Sequence, residues 1–183
     1  AEAELKKYDG NTGIAILSVD KSQLDSATLS AITVAQIGNS NTVSKGQIVI
    51  ALGSPLGTSY SILSGSITSR GNEITTLDNN YSVFTTDIVG SKNGSGILIN
   101  VNGEIVGLIM QDYSSAGASN TLTAVAISEV SELLNLLMAG EDIPYLGISG
   151  TTVTDKIADK YTVPKGVYVK KVEMDSPAML AGI

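Results

Sequence analysis

A short loop rich in glycine and serine carries the first candidate for covalent chemistry in this chain. It runs from Gly90 to Gly96, reads GSKNGSG, and lies directly before the apolar segment GILINV. A serine between glycines at a tight turn can present its hydroxyl outward, while successive backbone N–H groups converge and stabilise an oxyanion. Ser95 is therefore the candidate nucleophile, and a flexible loop without chemistry is the alternative interpretation.

The residue types that the chain lacks limit what such a serine can do. The 183 residues include no histidine and no cysteine, so a complete Ser-His-Asp or Cys-His catalytic set is excluded within the chain. Zinc sites built from Cys and His, and disulfides, are excluded for the same reason. Lys92 could form a dyad with Ser95, but a lysine in an exposed loop stays protonated at neutral pH and makes a poor base.

The charge of the chain argues against two classes of partner. Eleven basic and eighteen acidic residues give a net charge of −7, and the basic residues form no stripe that could follow a phosphate backbone. Nucleic acids and anionic membrane surfaces are therefore not expected partners. The run Asp9-x-Asn11-x-Gly13 resembles part of a calcium loop but lacks the third oxygen ligand, so neither a metal nor a cofactor is expected.

Most of the chain consists of short β-rich segments bounded by turn residues. Asn102-Gly103, between two of these segments, predicts a hairpin with a type I′ turn. The spacing of the segments predicts an antiparallel barrel or sandwich. The predicted strands are Gly13–Val19, Gln47–Leu52, Ile62–Thr68, Tyr81–Thr86, Gly96–Val101, Glu104–Gln111 and Leu122–Ile127.

The hydrophobic period changes after these strands. Apolar residues at helical spacing, with Ser128 as N-cap and Gly140 as the stop signal, predict one amphipathic helix. A linker and a smaller unit follow the helix. The predicted elements of that unit are the strand Leu146–Ser149, the helix Thr154–Lys160, the strand Gly166–Val172 and a helical turn opened by Ser176-Pro177.

Several short motifs follow one another in a characteristic order. They are ALGSPLG at 51–57, SGSI at 64–67, TTD at 85–87, GSG at 94–96 and NGEIVG at 102–107. This order resembles the second β-barrel of the HtrA (DegP-like) family, trypsin-like serine proteases with a C-terminal PDZ domain. The resemblance continues in the sequence YLGI at 145–148, which looks like the carboxylate-binding loop that opens such a PDZ domain.

The resemblance implies a mostly β fold in three parts. These are a trypsin-like antiparallel barrel over residues 1–127, a connecting helix and linker over 128–143, and the first part of a PDZ-like α/β unit over 144–183. It implies a serine endopeptidase of protein quality control, acting on unfolded polypeptides or peptide C-termini. The implied site residues are Ser95 as nucleophile, the backbone of Asn93, Gly94 and Ser95 as oxyanion hole, and Tyr145, Leu146, Gly147 and Ile148 as peptide-binding loop.

The chain departs from the family pattern around the expected catalytic site. Asn93-Gly94 stands where the family has Gly-Asn, and Ile97 replaces the second glycine after the serine. Gly13 occupies the position of the triad aspartate. Asp9 could substitute for that aspartate, but beside a glycine it is expected to be a solvated turn residue. The triad histidine would lie upstream of residue 1, so the chain as given is expected to be inactive.

Three classes of function therefore remain open. The chain could be a non-catalytic portion of an endopeptidase, or a pseudoprotease that binds or senses peptides. It could also be a structural unit that forms a homo-oligomer or a domain-swapped dimer, because open strand edges after residue 144 would pair with the barrel or with a second chain. The family resemblance further implies a location in the cell envelope, outside the cytoplasm, with a membrane anchor in a segment before residue 1.

Overall fold

The computed structural model describes residues 1–58, 60–114 and 120–183. Its centre is a closed antiparallel barrel of six strands. The predicted mostly β fold with an antiparallel barrel is confirmed. The barrel strands are β3 (Ile48–Ser54), β4 (Ser61–Thr75), β5 (Asn80–Val89), β6 (Ser95–Ile99), β7 (Ile105–Met110) and β8 (Thr121–Ala126). They pair in the order β3-β4-β5-β8-β7-β6.

The barrel closes around an apolar core to which all six strands contribute. Successive side chains of a strand point to opposite faces, so alternate residues enter the core. Fully burying one of the larger apolar side chains contributes about 1.5–3 kcal/mol. The core cluster includes Val49 and Ala51 of β3, Ile67 of β4, Phe84 and Ile88 of β5, Leu98 of β6, Val106 and Ile109 of β7, and Leu122 and Ala124 of β8.

The predicted hairpin between β6 and β7 is present, but its turn differs from the expected type. Gly103 has a φ of +80°, whereas Asn102 is not among the residues with positive φ. The N–H of Gly103 donates to the carbonyl of Asn100 over 3.0 Å, and Asn100 Oδ1 accepts from the N–H groups of Asn102 and Glu104. The prediction of a type I′ turn was therefore wrong, because the Asn100 side chain stabilises a three-residue loop that ends in a left-handed glycine.

Two strands before the barrel form a separate two-stranded sheet. They are β1 (Ala3–Tyr8) and β2 (Ala15–Val19), which pair antiparallel. Strand β2 falls within the predicted segment, but β1 was not predicted, because its charged residues in AELKKY hide any alternation of apolar positions. Helix α1 (Ser26–Ala31) was also not predicted; Asp25 caps it by accepting the N–H of Thr28 over 2.7 Å.

The predicted amphipathic helix exists, but it begins later than expected. Helix α2 (Ser131–Ala139) follows a short 3₁₀ turn at Ile127–Val130 and ends at Gly140, which has a left-handed φ of +78°. Ser128 is not its N-cap. Instead, the Ser128 hydroxyl accepts the N–H of Ser40 over 3.1 Å, and the Ser128 N–H donates to Ser40 Oγ over 3.0 Å. Ser128 therefore links the 3₁₀ turn before α2 to the segment around Ser40 that precedes β3.

The last forty residues form a small α/β unit beside the barrel. The strand Gly166–Val172 coincides with the predicted segment, and the Ser176 hydroxyl caps the last helix as expected by accepting the N–H of Met179. The predicted strand Leu146–Ser149 is displaced toward the C-terminus, because Leu146 and Gly147 belong to a loop. No helix within the described residues is long and apolar enough to span a membrane. The elements are β9 (Ile148–Val153), α3 (Asp155–Tyr161), β10 (Gly166–Val172) and α4 (Pro177–Leu180).

Candidate functional site

Ser95 lies at one end of the barrel, where three strands meet. It is the first residue of β6, and it pairs with Ser54 of β3 on one side and Met110 of β7 on the other. Ser95 is exposed, and across the described residues its hydroxyl makes no hydrogen bond. A serine hydroxyl without a neighbouring base remains protonated at neutral pH and is a weak nucleophile.

A close crossing of two backbone segments fixes the position of Ser95. The next residue, Gly96, has a φ of +137°, and a Cβ at this position would lie 2.1 Å from the carbonyl oxygen of Leu52. On the facing strand Gly53 has a φ of +126°, and its Cβ would lie 2.9 Å from the Cα of Gly96. Only glycine tolerates both this conformation and this approach, so the crossing of β3 and β6 requires glycine at positions 53 and 96.

The loop before Ser95 already uses two of the three expected oxyanion donors. The N–H of Asn93 donates to Ser91 Oγ over 3.3 Å, and the N–H of Gly94 donates to the carbonyl of Ser91 over 2.8 Å. The N–H of Ser91 in turn donates to the carbonyl of Pro55 over 2.9 Å. An N–H group that donates within the loop is not free to bind an oxyanion, so binding at Asn93 or Gly94 requires these hydrogen bonds to change.

The two candidate positions for a triad carboxylate have different surroundings. Gly13 is exposed, has a φ of +74°, and leaves open space where a side chain would begin. Asp9 is only 6% exposed, so the expectation of a solvated aspartate was wrong. Its carboxylate accepts the N–H of Asn11 over 3.2 Å, and the N–H and hydroxyl of Thr12 over 3.1 and 2.6 Å. These donors hold Asp9 within the β1–β2 loop, which stabilises that loop.

Two tyrosines lie close enough to Asp9 to respond to its charge. Burial, together with the negative charge of Asp9 and the neighbouring Tyr113, raises the pKa of Tyr81 to about 12. Burial and the charges of Asp9 and Asp112 also raise the pKa of Tyr113. Both phenols therefore remain protonated at neutral pH.

The loop over residues 145–148 holds a carboxylate from the barrel. Asp78, in the turn between β4 and β5, accepts the N–H of Leu146 on Oδ2 over 2.9 Å, and the N–H of Ile148 on Oδ1 over 2.9 Å. The N–H of Gly147 lies 2.9 and 3.0 Å from the two oxygens. The N–H of Asp78 donates back to the carbonyl of Ile148 over 2.7 Å. The predicted peptide-binding loop thus presents three consecutive N–H groups to one carboxylate.

The backbone conformation of this loop and the ionised state of Asp78 both indicate that the loop binds an anion. Gly147 has a φ of +86°, and a Cβ there would lie 2.2 Å from the Cβ of Ser176, so a side chain is excluded. Burial alone would raise the pKa of Asp78, but the hydrogen bonds from Ile148, Gly147 and Leu146 outweigh it and lower that pKa below its usual range. The aspartate therefore binds the loop as an anion.

A cavity of about 430 Å³ lies beside this loop, between the barrel, α2 and the C-terminal unit. Its wall combines apolar side chains with carboxylates, and no lysine or arginine is among the described residues that line it. The described ranges also hold no group of three or more Asp and Glu residues arranged to bind a metal ion. The lining residues are Asp9, Asn11, Asp78, Asn79, Tyr81, Glu129, Glu132, Leu133, Leu136, Ile143, Pro144, Tyr145, Leu146 and Ile148.

A closed antiparallel barrel of six strands, with an exposed serine in a glycine-flanked loop at one end, is the arrangement expected of a trypsin-like protease domain. A family model described as a trypsin-like peptidase domain matches residues 1–108, which is more than half of the chain. The chain therefore belongs to the trypsin-like peptidase family, and the predicted HtrA resemblance is confirmed by its curated relatives.

The curated relatives are HtrA and DegP proteins from several bacteria. A probable periplasmic serine endoprotease, DegP-like, of Pseudomonas savastanoi pv. phaseolicola is 30% identical over 188 residues, which cover 100% of this chain and 37% of the relative. The serine protease Do-like HtrB of Bacillus subtilis is 30% identical over 201 residues, covering 100% and 43%. The chain thus spans less than half the length of these two relatives.

The fold is shared with solved structures of other proteins. The HtrA-type protease AlgW with a decapeptide superposes with a TM-score of 0.66 at 24% identity, covering 98% of this chain and 55% of that structure. An inactive form of Rv3671c from M. tuberculosis H37Rv superposes with a TM-score of 0.58 at 20% identity, covering 78% and 68%. At these identities, the two structures bear on the fold alone.

Proposed function

We propose that this chain is the part of an HtrA-type serine endopeptidase that carries the nucleophile, Ser95. The observation that supports this most is the exposed Ser95 hydroxyl at the end of a closed barrel in a chain of the trypsin-like peptidase family. The proposed parts remain the barrel with its preceding strands over 1–127, the helix and linker over 128–143, and a partial PDZ unit over 144–183. The substrates are unfolded polypeptides.

The chain by itself does not cleave peptide bonds. It contains no histidine, and a triad without its base retains only about 10³–10⁴-fold acceleration over water. The hydrogen bonds that the N–H groups of Asn93 and Gly94 make to Ser91 favour the same conclusion. An imidazole would have to come from a segment outside residues 1–183.

A fluorophosphonate probe tests the proposed inactivity of Ser95 in this chain. Incubation followed by intact-mass measurement is expected to show no adduct on the wild-type chain, because the Ser95 hydroxyl stays protonated. Ser95→Ala is the matched control, and trypsin shows that the probe is active. Stoichiometric labelling that disappears in Ser95→Ala would contradict the proposed inactivity. Lys92→Ala would then show whether the lysine three residues earlier acts as the base.

Peptide binding is the second candidate function, and it would suit a pseudoprotease or a sensor. It is favoured by the three N–H groups of Leu146, Gly147 and Ile148 that converge on one carboxylate. A peptide C-terminus carries the same chemical group. Calorimetric titration with an octapeptide ending in leucine is expected to show binding with a free C-terminus and none with an amidated one. Equal binding of the two forms would exclude recognition of the carboxylate.

The location and the assembly of the chain are further parts of the proposal. Relatives that are named periplasmic support a location outside the cytoplasm, with membrane anchoring through a preceding segment. Strand β10 leaves Val167 and Tyr168 about 60% exposed, which favours pairing with a second chain. Light scattering over a range of protein concentrations tests this, and a strict monomer would contradict it.

A further inference from the structure

The turn between β4 and β5 occupies the carboxylate-binding loop from within the same chain. Asp78 lies about seventy residues before this loop in the sequence, yet its carboxylate accepts all three N–H groups of Leu146, Gly147 and Ile148. We propose that Asp78 is a built-in occupant of the loop, which the C-terminal carboxylate of a peptide must displace in order to bind. This inference rests on the proposed peptide-binding function and adds a competitor to it.

The loop has room for one carboxylate at a time. Both Asp78 oxygens lie between 2.9 and 3.0 Å from the loop nitrogens, so a second carboxylate would find no free donor. The adjoining cavity is lined by Asp9, Glu129 and Glu132 and by no described basic residue. Because like charges repel in such a site, the aspartate and a peptide C-terminus exclude one another.

The backbone of the turn fixes the position of Asp78. This residue has a φ of +61°, a left-handed conformation that aspartate adopts more readily than most residues with a side chain. Thr76 and Asn79 close the turn through a hydrogen bond of 2.8 Å from the Thr76 N–H to the Asn79 carbonyl. This turn holds the Asp78 side chain toward the loop.

Displacement of Asp78 would change more than the occupancy of the loop. The N–H of Asp78 donates to the carbonyl of Ile148, so the same residue also ties the backbone of the barrel hairpin to the first residue of β9. A peptide that replaces the Asp78 carboxylate removes the side-chain contacts that support the hydrogen bond between the Asp78 N–H and the Ile148 carbonyl. Peptide binding is thereby coupled to release of the β4–β5 turn from the C-terminal unit.

The experiment compares the wild-type chain with Asp78→Gly. Glycine adopts the left-handed φ without strain, so the turn is kept while the carboxylate is removed. Asp78→Asn and Asp87→Asn form a second, matched pair. Each neutralises an aspartate that accepts a backbone N–H, but Asp87 binds Ser66 on the barrel and not the loop. The probe is an octapeptide ending in leucine, with a free or an amidated C-terminus. Calorimetry measures its affinity, and the amide NMR signals of the loop report binding and solvent exchange.

The expected result is that Asp78→Gly binds the free-acid peptide about tenfold more tightly than wild type, because the competent fraction of the loop rises. Asp78→Asn shifts in the same direction, and Asp87→Asn binds as wild type does. The loop amides of Asp78→Gly exchange with solvent faster than those of wild type in the absence of peptide.

Two results would overturn the inference and can be told apart. If wild type and Asp78→Gly bind the free-acid peptide equally, Asp78 does not compete, and the peptide-binding function stands without it. If neither variant binds, although the exchange data show that the loop of Asp78→Gly is free, the peptide-binding function itself fails and displacement fails with it.

Discussion

Gly96→Ala tests whether the crossing of β3 and β6 positions Ser95. A left-handed φ costs a residue with a side chain about 1–3 kcal/mol. The new Cβ would also lie 2.1 Å from the Leu52 carbonyl oxygen, and forcing such an overlap costs about 1–3 kcal/mol more. The free energy of unfolding should therefore fall by about 2–6 kcal/mol, from a total that is about 5–15 kcal/mol in most domains.

Gly103→Ala is the matched control for this variant. Gly103 also has a positive φ, of +80°, but an added Cβ there meets nothing within 4 Å. The free energy of unfolding of Gly103→Ala should fall only by the cost of the left-handed conformation, about 1–2 kcal/mol. Urea unfolding followed by far-UV circular dichroism measures both variants, and the effect of alanine on the unfolded chain cancels between them. Equal losses would refute the argument, because they would mean that the close approach to Leu52 carries no cost.

Two further predictions concern Asp9 and its neighbours. Asp9→Ala leaves the buried N–H and hydroxyl of Thr12 without their acceptor and should lower the free energy of unfolding by about 1–3 kcal/mol. Asp9→Asn keeps one acceptor oxygen and should lower it by less. A loss below about 0.5 kcal/mol for Asp9→Ala, well under that range, would contradict the role assigned to the carboxylate. Alkaline titration followed by phenolate absorbance should show a tyrosine ionisation near pH 12, and Tyr81→Phe should lack this step. Since the unfolded state loses this proton at its ordinary, lower pKa, the stability contributed by Tyr81 is present below that value and lost as the pH rises toward 12.

Local sequence patterns were sufficient to predict most of the barrel. Strand β5 alternates over much of its length between buried and less buried residues, whereas β8 is a short and almost fully buried apolar run, and both patterns are typical of strands. Gly166–Val172 and the Ser176 cap were also predictable, because the signals lie within a few residues of one another. Strand β1 lacked such a signal, since it is exposed and, among the strands that the structure describes, pairs with β2 alone.

The functional contacts that were missed depend on residues far apart in the chain. Asp78 stands in a polar turn, where local preference favours a solvated side chain, and nothing nearby indicates the loop at 146–148 that binds it. Asp9 was misjudged for a similar reason. Its own loop supplies the hydrogen bonds, but its burial comes from elements elsewhere in the chain. Ser95 and the loop at 145–148 could be predicted as candidates because each is a compact motif, and their roles stay predictions.

The closure of the barrel also has a consequence for the order of folding. Strands β4 and β5 form a hairpin between neighbours in sequence, whereas the pairing of Ser54 with Ser95 joins β3 to β6 across two intervening strands. Closing a longer loop costs more chain entropy, so we expect this seam to form after the transition state. Defects at Gly96 would then accelerate unfolding and leave the folding rate nearly unchanged. The position of Ser95 would be completed last in folding and lost first when the barrel opens.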